Sequence, residues 1–219
     1  RFLVSNRIWS GTAGLFSGPI GTFTTVQEYL FLYIPLLTMG CLSREYSSGS
    51  VKLLYSSPVT SRQIVLGKYL ALVTYALVLT AILAVFALFG TASIVRADIC
   101  LILSGLFGLF LLACTYASIG LFMSSLTSYM VVSAMGTLAI FAALNYMRNM
   151  GQETEFIRDI TFWLSIPGRT ENFISGLVAS EDLLYFLVVS VMFLGFTIVR
   201  MENSRQKKPW YVPVSRYVT

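Results

Sequence analysis

The chain has 219 residues, 56% hydrophobic and 11% charged, with a mean hydropathy of +0.76 and a net charge of +5. Soluble domains run about 45–50% apolar and about 25% charged, so these figures exclude a soluble globular protein and a disordered one alike. The absence of histidine excludes His-based acid–base catalysis, Ser-His-Asp triads and His-ligated metals. Cys41, Cys100 and Cys114 all lie in apolar stretches and read as small hydrophobes, not as a disulfide frame. The 16 Phe, 12 Tyr and 3 Trp suit lipid-facing surface and interfacial rings.

In chain order, residues 1–28 read as an external loop and lead-in, with a Gly-, Ser- and Thr-rich stretch over 9–25. Five apolar runs then follow, each near the roughly 20 residues that a helix needs to cross a bilayer. They are 29–43, extendable toward Phe23, then 64–89, 99–123, 129–147 and 183–199. No charge falls between Tyr69 and Val95 or between Ile99 and Met147. Barrel strands would alternate apolar and polar with period two, whereas these runs are apolar on every face, so they predict helices. The expected fold class is therefore an all-α, polytopic membrane helix bundle. Pro35 is expected to bend the first span. Small residues four apart, Ala113 with Ala117, Gly120 with Ser124 and Ala139 with Ala143, favour close helix packing.

The basic residues fix an orientation. Arg44, Lys52, Arg62 and Lys68 in the loop 44–68, with Arg200, Arg205, Lys207, Lys208 and Arg216 after the last span, outnumber Arg96, Arg148, Arg158 and Arg169 on the other side. By the positive-inside rule the loop and the tail 200–219 are cytoplasmic, in an inner membrane crossed several times. Five spans with a cytoplasmic C-terminus leave Arg1 outside. A chain that starts with Arg and shows no signal peptide then leads us to expect a sixth span upstream; a cleaved signal or a five-span protein is the alternative.

The loop 44–68 carries the most information. Ser50 can cap a short helix with Val51, Leu53, Leu54 and Tyr55 as its apolar members, and Pro58 closes it. Thr60 with Gln63 makes a capping-box pattern ahead of the second span. Gly49 supplies a turn with φ > 0 before the helix. Such an element can pass force between a soluble partner and the membrane part, or simply lie on headgroups; these residues alone leave both open. Gly67-Lys68 is no phosphate loop, because Arg62 and Tyr69 stand where that pattern needs Gly and Ser/Thr. Lys68 reads instead as a cytoplasmic-interface anchor.

The string E-Y-S-S-G-S-V-K-L-L-Y-S-S-P-V-T-S-R-Q-I-V-L-G-K over residues 45–68 resembles the signature of ABC-2-type permeases, the membrane subunits of one class of ABC transporter. A second stretch, Phe173-Ile174-Ser175-Gly176-Leu177-Val178 followed by Glu181-Asp182-Leu183-Leu184-Tyr185-Phe186, is similar to the external loop of the gliding-motility-type subgroup. That subgroup often has a His just ahead of the Phe; residues 169–172 have none. The resemblance covers about 29–199 as the permease domain. It implies a cytoplasmic coupling helix docked on a separate ATP-binding subunit, with Glu45, Gly49, Ser50, Val51, Leu53, Leu54, Tyr55 and Pro58 contacting or shaping the junction. It also implies export, a second permease copy or paralogue, and ATP held by the partner, so that this chain needs no cofactor and catalyses nothing itself.

The hairpin 148–182 is too long for a simple turn. Phe156, Ile157, Ile160, Phe162, Trp163 and Leu164 suggest a partly embedded helix broken at Pro167-Gly168, and Phe173, Ile174, Leu177 and Val178 a second one. The resemblance implies that such helices shape the exit of the path; a hairpin resting on the outer leaflet is the alternative. Ser180 can cap the last span, with Glu181 and Asp182 favourably placed in its first turn. The tail, with Lys207, Lys208, Trp210 and Tyr211, fits an anionic membrane surface. Carriers driven by ions usually hold ionisable groups within the bilayer, and the second, third and fourth spans hold none. That disfavours a small ion-coupled carrier. A non-transporting scaffold that recruits proteins through the loop is the other alternative. No feature points to nucleic acid.

Overall fold

A computed structural model describes Phe16 and residues 21–56, 59–92, 99–150, 166–177 and 179–206. These residues form α1 (Thr22–Thr38), α2 (Ser43–Ser48), α3 (Val51–Ser56), α4 (Ser61–Ala92), α5 (Ile99–Leu126), α6 (Met130–Met150), α7 (Ile166–Ile174) and α8 (Ser180–Gln206), with no strand among them. Four stretches are long and apolar enough to cross a membrane: Thr22–Ser48, Ser61–Thr91, Ile99–Leu126 and Ser180–Arg205. Met130–Tyr146 is a shorter apolar helix. The protein is an all-α, multi-pass membrane bundle. Pro58, the stretch 156–164, Val178 and the residues of the tail from Lys207 onward lie outside the described residues.

The centre of the bundle is α5. It packs against α8, α4, α1, α7 and α6, and its inward positions are small. A methyl at Gly105 would come within 2.6 Å of the Phe23 ring, one at Gly108 would collide with Phe173, and one at Gly120 would collide with the Thr38 side chain. Three glycines on one helix thus seat both ends of α1 and the short helix α7. Ala113, Ala117 and Ser124 are buried in the same way, whereas Ala139 and Ala143 on α6 face outward. Of the small-residue pairs, those on α5 pack within the chain and the α6 pair does not.

Two apolar clusters fill the interior. One gathers Phe23, Ile34, Leu109, Tyr116, Phe141, Phe173 and Phe186. The other gathers Leu42, Val65, Leu72, Leu121, Leu194 and Met201, with Leu54 and Tyr55 packed against it. The outer faces of α4 and α8 keep residues such as Leu70, Ile82, Phe89, Leu187 and Val191 more than half exposed. That pattern suits a hydrocarbon solvent.

At the end away from α3, Pro167 and Gly168 fall in the first turn of α7, a position that suits proline; the segment expected to precede the break lies outside the described residues. The helix closes by a Schellman motif. Gly176 has φ +86° and donates to the Phe173 carbonyl at 3.0 Å, while Leu177 N–H donates to Asn172 at 2.8 Å. Leu177 therefore lies past the helix, not in it. The last span begins one residue earlier than the cap reading: the Ala179 carbonyl accepts from Leu183 N–H, and Ser180 is already helical.

Candidate functional site

At the other end of the bundle, α2, Gly49 and α3 make a compact lever. The chain leaves α1 through a turn in which Met39 N–H donates to the Pro35 carbonyl. Ser124 of α5 then clamps it. Its hydroxyl oxygen accepts from Leu42 N–H at 2.9 Å and Ser43 N–H at 3.0 Å, and its hydroxyl donates to the Met39 carbonyl at 3.1 Å. One buried serine thus meets the N–H groups of Leu42 and Ser43 and shares the Met39 carbonyl with the Ser43 hydroxyl.

Glu45 sits in α2 with its carboxylate toward α4. Lys68 Nζ donates to Glu45 Oε1 at 2.6 Å and to the Cys41 carbonyl at 2.6 Å. Both side chains are about a quarter exposed. Lys68 therefore turns inward to hold α2 and does not reach for headgroups. Gly49 ends α2 at φ +73°, in the left-handed region, with open space around its Cα. Here glycine answers to backbone conformation and not to crowding. The Ser50 carbonyl accepts from Leu53 and Leu54 N–H, so Ser50 holds the cap position. Its hydroxyl is turned to that of Ser48.

The described side chains of α3 then split by face. Val51 is buried, and Leu54 and Tyr55 pack on the second cluster. Leu53 is 74% exposed. The Tyr55 hydroxyl lies 3.4 Å from that of Tyr46 and donates to the Met201 carbonyl at 3.4 Å. Burial, and next the bond with Tyr46, push the Tyr55 phenol above its ordinary range, so it stays neutral at physiological pH. Arg205 at the end of α8 donates through Nη1 to the Val59 carbonyl at 3.1 Å and through Nη2 to the Tyr55 carbonyl at 3.3 Å. A cation on the last carbonyls of a helix satisfies acceptors left open there. Thr60 and Gln63 close the loop as a capping box: Thr60 N–H donates to Gln63 Oε1 at 3.0 Å, and Gln63 N–H to Thr60 Oγ1 at 3.4 Å.

Of the residues singled out by sequence, Glu45, Gly49, Ser50, Val51, Leu54 and Tyr55 shape the lever from within. Leu53 is its exposed apolar member, and Pro58 lies outside the described residues. Sequence reasoning missed Ser124, Tyr46 and Arg205. Arg205 was visible only as one charge of a basic tail, and Ser124 only as a small packing residue. Among the described residues, no cluster of His, Cys, Asp or Glu is arranged to hold a metal ion.

A family model described as ABC-2 family transporter protein matches residues 7–204. The chain belongs to the ABC-2 transporter family. Neither the curated proteins nor the solved structures offer a match. As an ABC-2 permease this protein is a membrane-embedded component of transport, and the lever lies inside the matched region.

Proposed function

We propose that this ABC-2 permease is the membrane subunit of an ATP-driven exporter in the cytoplasmic membrane. A separate ATPase hydrolyses the ATP and docks on α3. Two copies, or this chain with a paralogue, enclose the path, and the C-terminus lies in the cytoplasm with the lever. The stretch 173–186 supports placing it near the gliding-motility-type subgroup.

One observation carries the reading. A six-residue helix is latched to α2 through Tyr46 and to α8 through Met201 and Arg205, and still offers Leu53 outward. A helix resting on headgroups would turn its apolar side to the lipid. In α3 that side, Val51, Leu54 and Tyr55, is spent on the bundle itself. Leu53 is left as an apolar anchor among exposed Arg44, Ser47, Ser48 and Ser56. Such an anchor fits a pocket on a protein partner.

The test is purification of the tagged chain from its native membranes. Vanadate-sensitive ATP hydrolysis should co-purify with the native chain and fall at least about tenfold with Leu53→Asp, a loss of roughly 1.4 kcal/mol or more in binding. Helicity should not change, because Leu53 is largely exposed and belongs to neither apolar cluster of the described residues. Retention of full ATPase activity by Leu53→Asp contradicts the docking assignment. A bound ATPase that moves no substrate in vesicles points to the scaffold instead.

A further inference from the structure

Both ends of α8 are held by polar latches. At the lever end, Arg205 grips the carbonyls of Tyr55 and Val59, and the Tyr55 hydroxyl reaches the Met201 carbonyl. At the far end, Asp182 is gripped by Arg169 and by Asn172 Nδ2 at 3.1 Å, both from α7. The ion pair is buried, with 3% and 5% of its side chains exposed, and the Arg169 guanidinium lies 4.4 Å from the centre of the Tyr185 ring. Phe173 of α7 and Phe186 of α8 add an aromatic contact, with centroids 6.1 Å apart.

Between its ends α8 rests on the bundle along one stripe of buried residues: Phe186, Ser190, Leu194, Thr197 and Met201. Tyr185, Val189, Phe193 and Ile198 flank that stripe half-buried, and the opposite face, with Leu184, Leu187, Val188 and Val191, is exposed. A 27-residue helix spans about 40 Å and is stiff along its axis. Contact along a single stripe permits the small sliding shifts by which packed helices change state.

We propose that α8 is a transmission rod, with Arg205 and Asp182 as its positioning residues. Movement of α3 is handed through Arg205 to α8, and from α8 through Asp182 to α7 at the opposite face of the membrane. The inference rests on reading α3 as the docking helix.

The test is amide hydrogen exchange on the assembled transporter in nanodiscs, with and without ATP plus vanadate, followed in segments 50–56 and 170–177. In the native protein both segments should change severalfold. With Arg205→Ala, and separately with Asp182→Asn, segment 50–56 should still respond and segment 170–177 should fall silent. Arg205→Lys keeps the cation and part of the hydrogen bonding, and should restore part of the far response. A merely structural role would lower thermal stability without separating the two segments. An undiminished far response in Arg205→Ala, or a native protein in which only segment 50–56 responds, overturns the rod and leaves the docking helix standing. A native protein with no response in segment 50–56 overturns the docking helix and the rod together.

Discussion

Burying Arg169 beside Asp182 commits both charges to each other. In a low-dielectric interior the pair is supported by Asn172, which donates to the same carboxylate, and by the Tyr185 ring beside the guanidinium. Removing one partner leaves an uncompensated charge, which typically costs about 3–5 kcal/mol. Asp182→Ala is therefore expected to lower the thermal midpoint of the detergent-purified protein sharply. Asp182→Asn, which keeps hydrogen bonding to Arg169, should lower it less. Equal midpoints for Asp182→Ala and the native chain would contradict this role. On the lever the same scale of reasoning separates neighbours: Leu54 packs inward and Leu53 does not, so changes at 54 report on folding and changes at 53, on the proposed docking, report on binding.

Among the elements, α3 has too few turns to hold its place by helix propensity, since a costly nucleus makes such short helices marginal. Its geometry comes from its surroundings: the left-handed Gly49 before it, Tyr46 and Tyr55 across from α2, Arg205 over its last carbonyls and the Thr60–Gln63 box after it. Gly49→Ala forces a Cβ into a conformation that disfavours it by roughly 1–2 kcal/mol. It should loosen α3 without disturbing the spans. Faster amide exchange confined to residues 50–56, at unchanged helicity, is the expected result; exchange at the native rate would contradict it. The spans were legible in the sequence because hydrocarbon leaves its mark on every face of a crossing helix. Their ends were less so. Thr22, Thr24, Thr25 and Glu28 hid the start of α1, and the charges of residues 200–206 read as a tail although α8 runs on through them. The capping box and the glycine turn were legible because each is a local pattern with a local cause. The facing of Leu53 against Leu54 was not, because six residues set no helical phase. The Glu45–Lys68 pair and the Ser124 clamp join residues far apart in sequence, so their pairing depends on how α2, α4 and α5 assemble.

Taken whole, the molecule is a bundle organised on α5, with a broad apolar exterior and a polar lever at one end. Among the described residues, the long helices α4 and α5 bring no charge into their cores beyond Lys68 near the start of α4. On the proposed reading such a transport component is worked from outside the bilayer, with α3 placed to receive the force. The most direct measurement is to place a photo-cross-linking residue at position 53 in cells, irradiate, and identify the adduct. A covalent product with an ATP-binding subunit, abolished when that subunit is deleted, is the expected result. Cross-links to lipid alone, or to proteins without ATP-binding activity, would contradict the docking of an ATPase on α3.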